Sequence, residues 1–226
     1  MPEPRVAGRL VLVAGATSTS GRAAARALAS AGARVVAVGR DAARLGELAR
    51  AVPGIRTEVC DLGDEDAVLE LAMRVHHADG PVDGVLHLVG GWRGGGGLAA
   101  QTDADFRFLE RSLTALRHVS RAFDADLRAS DAARSAIVSS PAVARPLAGG
   151  ANYAAVKAAG EAWARAVAQG FAKAARDADE PLRAASVVFR VASLTGREGE
   201  LAWAYTGLWD RDAADVNDSV IELGEP

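Results

Sequence analysis

Leu10-Val11-Leu12-Val13-Ala14-Gly15-Ala16-Thr17-Ser18-Thr19-Ser20-Gly21 is the stretch that decides the fold. Its first five residues are apolar without alternation, largely branched, and closed by Gly15, the pattern of a short strand covered on both faces. From Gly21 to Ala31 the chain is rich in alanine and stops at Gly32, which predicts a strong helix with a glycine end. A strand that turns straight into a helix is the first half of a crossover unit, and covering both of its faces requires further helices.

The same alternation runs outward to the end of the chain. Strands are predicted at Arg34 to Val38, Ile55 to Val59, Val82 to Val89, Ser135 to Ser139, Leu182 to Arg190 and Val220 to Leu223. Helices are predicted at Asp41 to Ala51, Asp64 to His77, Asp103 to Ser130 and Ala151 to Ala178. The helix from Asp64 opens on Asp64, Glu65 and Asp66, where the dipole favours acids. Helices between strands return the chain to the same end of a sheet. The expected fold is therefore α/β, a doubly wound parallel sheet of about seven strands flanked by helices on both faces. No Pro/Gly/Ser-rich linker and no short-period repeat divides residues 1–226, so one domain is expected.

Composition agrees with a single sizeable core: half of the 226 residues are hydrophobic and 24% are charged. A net charge of −3, with the charges interspersed, offers no basic field for nucleic acid. No apolar run approaches the roughly 18 to 20 residues of a membrane helix. The opening Met1-Pro2-Glu3-Pro4-Arg5 lacks the charged-then-apolar order of a secretory signal, so the expected place is the cytoplasm. A lone Cys60 allows no internal disulfide, and the histidines at 76, 77, 87 and 118 lack ligand spacing, so no metal site is expected. Arginine replaces lysine almost everywhere: Lys occurs only at 157 and 173, and Tyr only at 153 and 205.

Four places carry chemistry. The turn Gly15 to Gly21 joins a strand to a helix N-terminus, where free amides and the helix dipole suit a pyrophosphate, and Thr17, Ser18, Thr19 and Ser20 add hydroxyl groups. Read alone, it is also an ordinary tight turn. At the end of the second strand, Gly39-Arg40 offers room and a guanidinium for the 2′-phosphate of NADP, where an acid would favour NAD. A solvated arginine is the plain alternative. Asp61-Leu62, after the third strand, could meet an adenine edge or cap the next helix. The most specific pattern is Tyr153-Ala-Ala-Val-Lys157 opening a long helix, preceded by Ser139-Ser140 at the end of the fifth strand. Residues i and i+4 share a helical face, so the ammonium can favour the ionised phenol, whose free pKa is near 10.

With those residues in place the chain resembles the short-chain dehydrogenase/reductase family over nearly its whole length. The resemblance implies an NADP-dependent carbonyl reductase or alcohol dehydrogenase. Gly15 to Gly21 would be the nucleotide loop, Asp61 the adenine contact, and His87-Leu88-Val89-Gly90 the segment after the fourth strand. The nicotinamide would lie between Gly90-Gly91 and the loop of Val191 to Thr195. Tyr153 would be the acid, Lys157 the partner of phenol and ribose, and Ser140, rather than Ser139, the group that polarises the carbonyl. Ser112 stands where the family has an Asn that holds a relay water.

The chain also departs from the family pattern. Ser18 or Thr19 replaces the middle glycine, Arg190-Val191 replaces a Pro-Gly pair, and Gly196-Arg197-Glu198-Gly199 alone bridges Thr195 to a helix expected near Glu200, where the family has a longer lid. An open substrate cleft is expected. These departures also support a rival function, a dinucleotide-binding sensor or scaffold without turnover, which the intact Ser140, Tyr153 and Lys157 oppose. Val89-Gly90-Gly91-Trp92-Arg93-Gly94-Gly95 is similar to the Gly-Gly-Trp loop of dihydropteridine reductases; Trp92 could stack on a flat substrate or pack as an anchor. Arg93, Arg145, Arg190 and Arg197 could rim the cleft for an acidic substrate or be plain surface. The helices of 103–130 and 151–178 carry Phe106, Leu109, Leu113, Leu116, Val119, Trp163, Val167 and Phe171 at helical spacing, more than one sheet face should absorb. In the resembled family the two equivalent helices form a four-helix bundle, which implies a homodimer or homotetramer.

Overall fold

The computed structural model describes residues 5–224. Met1 to Pro4, part of the stretch on which the signal-sequence expectation rests, lie outside the described residues. Seven strands form one parallel sheet: β1 (Leu10–Ala14), β2 (Arg34–Gly39), β3 (Arg56–Val59), β4 (Gly84–His87), β5 (Arg134–Ser139), β6 (Ala185–Arg190) and β7 (Ser219–Glu222), in the spatial order β3-β2-β1-β4-β5-β6-β7. The helices are α1 (Thr19–Ser30), α2 (Ala42–Ala51), α3 (Glu65–Ala78), α4 (Asp103–Ala122), α5 (Asp124–Ala129), α6 (Ala151–Asp177), α7 (Glu198–Thr206) and α8 (Ala213–Val216).

The unalternating run of β1 is explained by its place at the centre. Val11 and Val13 enter the core beneath α1 and α7, while Leu10, Leu12 and Ala14 enter the core on the α3 and α4 side. On β4, Gly84 is the one residue small enough for its position, because a Cβ there would stand 2.8 Å from the Trp209 ring and 2.9 Å from the Tyr205 hydroxyl. Tyr205 and Trp209 meet edge to face at 5.3 Å and donate to the carbonyls of Arg134 and Ala132, respectively. One of the two tyrosines is thereby a core residue.

Several boundaries differ from the sequence reading. The first helix begins at Thr19 because Ser18 supplies its cap, accepting from the Gly21 amide at 3.0 Å. Strand β4 ends at His87, so Leu88 and Val89 belong to the turn above the sheet. The stretch expected to be one helix to Ser130 breaks at Phe123, which is buried, and resumes as α5. The apolar excess on α4 and α6 is smaller than expected: Leu109, Leu116, Val119 and Phe171 are buried within the chain itself, while Phe106 remains exposed. Among the described residues no helix is long and apolar enough to cross a membrane.

Candidate active site

The strand order reverses direction between β1 and β4, and a parallel sheet opens a crevice above its C-terminal edge at such a point. A cleft of about 310 Å³ lies there, with Gly15, Thr17, Ser18, Gly39, Arg40, Asp61, Leu62, Val89, Gly90 and Ser112 on its walls. The three segments that sequence spacing assigned to a cofactor thus meet in one place. Gly15 has φ +86°, and a Cβ on it would be 2.9 Å from the Leu88 carbonyl carbon, so only glycine lets the turn after β1 close against the turn after β4. Gly21 and Ser20 are buried in the first turn of α1, and Thr19 is exposed; none of these three residues lines the cleft, and what they bring is backbone at the helix start. The Ser18 hydroxyl is committed to the turn, donating to the Gly15 carbonyl at 2.9 Å while accepting from Gly21.

Arg40 is exposed at the far wall and forms no ion pair among the described residues. Arg44, one helical turn on, reaches the same cleft and donates to the Thr17 carbonyl at 2.9 Å. Sequence reading missed Arg44, since nothing in its spacing separates it from the chain's other arginines. Asp61 accepts from the Gly63 amide at 3.0 Å and pairs with Arg111 at 2.8 Å, whereas Asp64 caps α3. Arg111 was also missed, because fifty residues separate it from its partner. A glycine cradle, two guanidinium groups and a helix start are the features a phosphorylated dinucleotide needs, and these residues fit one.

Beside Gly90 on the cleft wall, but not itself lining the cleft, stands the second cluster. Ser139 ends β5 and Ser140 caps a short 3-10 turn, its Oγ accepting from the Ala142 amide at 3.2 Å. Tyr153 and Lys157 lie on one face of α6, and Lys157 Nζ sits over the Tyr153 ring, 5.7 Å from its centre. Burial pushes the Tyr153 phenol above its ordinary value, and the neighbouring Ser140 hydroxyl pulls the other way. Lys157 is not among the groups that shift the phenol, so the lowering expected from it is absent here. Burial also pulls Lys157 down to about 8, opposed by the Glu161 carboxylate. Ser139 Oγ is buried without a hydrogen-bond partner among the described residues and does not shift Tyr153, which separates the two serines.

Gly90 lies against this cluster: a Cβ on it would be 3.9 Å from Lys157 Nζ. Gly91 faces the Phe108 ring, and Trp92 is 61% exposed, so it is not a buried anchor. Gln101 ties the glycine run down, donating to the carbonyls of Gly95 and Gly149 while its Oε1 accepts from the Asn152 amide, next to Tyr153. Val191 is buried and Thr195 exposed. There α7 starts at Glu198 rather than near Glu200, so only Gly196 and Arg197 separate Thr195 from the helix. Most of the rim arginines are engaged: Arg190 makes a two-pronged pair with buried Glu161 at 2.8 and 2.7 Å, Arg197 meets Glu200, and Arg93 stacks on Phe108. The Arg190 pair stands where a Pro-Gly was expected. Among the described residues no cluster of metal-ligating side chains occurs.

A family model described as short chain dehydrogenase matches residues 9–175. L-xylulose reductase of Bos taurus is 47% identical over 79 residues, 35% of this chain and 31% of that protein. The chain therefore spans about a third of the length of the curated relatives it matches. Among solved structures, a metagenomic short-chain oxidoreductase in complex with NADP superposes with a TM-score of 0.84 at 24% identity, covering 98% of this chain and 100% of that one. A short chain dehydrogenase from Salmonella enterica serovar Typhi gives 0.86 at 19% identity, with 98% of each chain covered.

Proposed function

The chain belongs to the short-chain dehydrogenase family, and from that premise we propose that it is an NADP(H)-dependent oxidoreductase acting on a small carbonyl or alcohol substrate, with Tyr153 as general acid and base. The observation that carries this reading is the grouping of Ser140, Tyr153 and Lys157, with Lys157 beside Gly90 on the wall of a cleft that also carries Arg40. When bound, the dinucleotide supplies or accepts the hydride. The protein does the rest. Ser140 donates to the carbonyl oxygen and holds it toward the phenol. Tyr153 gives that oxygen its proton in reduction and takes it back in oxidation. Lys157 holds the ribose hydroxyls and lowers the phenol once both are screened from water. Gly15 to Gly21 and Asp61-Leu62 hold the pyrophosphate and adenine, and Val191 and Thr195 close the carboxamide side. Arg40, with Arg44 beside it, favours NADP over NAD by meeting the 2′-phosphate.

All of the chain acts in this reading as one nucleotide-binding domain in the cytoplasm, without nucleic acid or membrane as partner. Phe106, Leu113, Trp163 and Val167, the apolar groups of α4 and α6 that stay partly or wholly exposed, support assembly into a homodimer or homotetramer. The test is a fluorescence titration with NADPH followed by its oxidation with a panel of ketones, quinones and L-xylulose. Binding with turnover on at least one carbonyl is expected; binding without turnover on any would replace the enzyme with a dinucleotide-binding sensor.

A further inference from the structure

His87 closes β4 beneath the cleft and is buried. Its Nε2 lies 3.1 Å from the Ser112 carbonyl oxygen. A carbonyl only accepts, so Nε2 carries the proton and Nδ1 presents a lone pair. Among the described residues no donor reaches that Nδ1, although a buried acceptor of this kind needs one. Lys157 faces the complementary problem. Its ammonium has three N–H donors, and the Val138 carbonyl takes one at 2.7 Å.

His87, Ser112, Val138 and Lys157 line one small cavity of about 20 Å³ between β4, β5, α4 and α6. A water needs roughly 10 to 15 Å³ measured in this way and two to four polar partners. We propose that one buried water bridges His87 Nδ1 and Lys157 Nζ, and that His87 is through this water the positioning residue for Lys157. The water donates one hydrogen to Nδ1 and accepts from the ammonium, which leaves the third N–H pointing up toward Gly90 and the cleft. Ser112 is displaced from the role the family resemblance gave it. Its hydroxyl donates to the Leu109 carbonyl at 2.7 Å and its own carbonyl already accepts from His87. The proposal rests on the reading of Lys157 given above.

Two amides separate the functions of the imidazole. Asn can place an acceptor where Nδ1 is, and Gln can place a donor where Nε2 is. His87→Gln and His87→Leu should each slow turnover about ten- to a hundredfold, the scale of displacing a reacting group by about 1 Å. His87→Asn should retain most of it. In the cofactor-free protein, the midpoint for Lys157, read from its side-chain carbon resonance by NMR, should move in the Gln and Leu variants and stay in the Asn variant. The titratable groups facing Lys157 are Tyr153 and Glu161 on α6 and His87 itself, and the first two are unchanged in every variant. A crystal structure of the cofactor-free wild type should show a water within hydrogen-bond distance of both nitrogens. No such water, or an unchanged Lys157 midpoint in His87→Gln, would overturn the proposal. Tyr153→Phe distinguishes the two claims: if it stays active, the reading of the site fails whatever His87 does.

Discussion

Lys157 holds its Nζ 5.7 Å from the centre of the Tyr153 ring while its proton goes to the Val138 carbonyl at 2.7 Å. The ammonium is thus anchored to the sheet, not to the phenol. The consequence is a division of labour: the phenol can lose its proton without breaking the contact that holds the lysine.

That division predicts different outcomes at the two positions. Tyr153→Phe should leave NADPH affinity nearly unchanged and reduce turnover by at least about a hundredfold, the lower scale of general acid catalysis. Lys157→Ala should weaken binding and turnover together. Steady-state rates beside a fluorescence titration check both, and a Tyr153→Phe protein with most of its activity would remove Tyr153 from the chemistry.

Cofactor choice should depend on the exposed guanidinium at the end of β2. Arg40→Ala should weaken NADPH more than NADH by about 1.5 to 3 kcal/mol, the worth of a charge-assisted contact. Adding Arg44→Ala should widen the gap, since both side chains reach one cleft. Equal losses for the two cofactors would show that neither reads the phosphate.

Acid should destabilise the protein through His87. Burial, opposed by the Ser112 carbonyl and aided by Lys157, pulls this imidazole from 6.5 to about 4. Between those values the unfolded chain binds the extra proton and the folded one does not, so stability is complete above pH 6.5 and falls as pH drops toward 4. The loss should reach about 3 kcal/mol, and His87→Gln should flatten that part of the profile. Denaturant titrations at pH 7.5, 5.5 and 4.5 measure it; parallel profiles for the two proteins would contradict it.

Gly84→Ala tests the packing under β4. The new methyl would meet the Trp209 ring at 2.8 Å, and a core that must shift for an added carbon loses about 1 to 3 kcal/mol. Thermal unfolding should show a lower Tm, and an unchanged Tm would mean that Trp209 moves freely.

Assembly is checked by light scattering at micromolar concentration. A mass of two or four chains is expected, and Trp163→Glu should shift it toward one chain, since Trp163 is only half-covered within its own chain. A concentration-independent monomer would assign these helix faces to the internal core.

Local sequence was enough for the fold because β1, β2 and β4 are inner strands of the sheet, where burial on both faces leaves an apolar run that periodicity can recognise. It was enough to set Lys157 beside Tyr153 because i,i+4 spacing on a helix is itself a geometry. The remaining parts depend on distance along the chain. Nothing adjacent to Arg111 foretells Asp61, and nothing adjacent to Arg190 foretells that Glu161 will neutralise it. The apolar stripe on α4 misled in part for the same reason, since Leu109, Leu116 and Val119 are claimed by partners remote in sequence.

Only Gly196 and Arg197 stand between Thr195 and α7, and Trp92 is open to solvent. A carbonyl compound reaching Tyr153 by this route would keep its distal portion hydrated. Bulk beyond the reacting group would then carry little steric penalty, so a carbonyl displayed on a polymer, a carrier or a folded protein would be accepted on nearly the same terms as a free molecule. Discrimination among substrates would fall on the few atoms around the carbonyl, and lengthening the Gly196-Arg197 connection would be the direct way to restore selectivity by size.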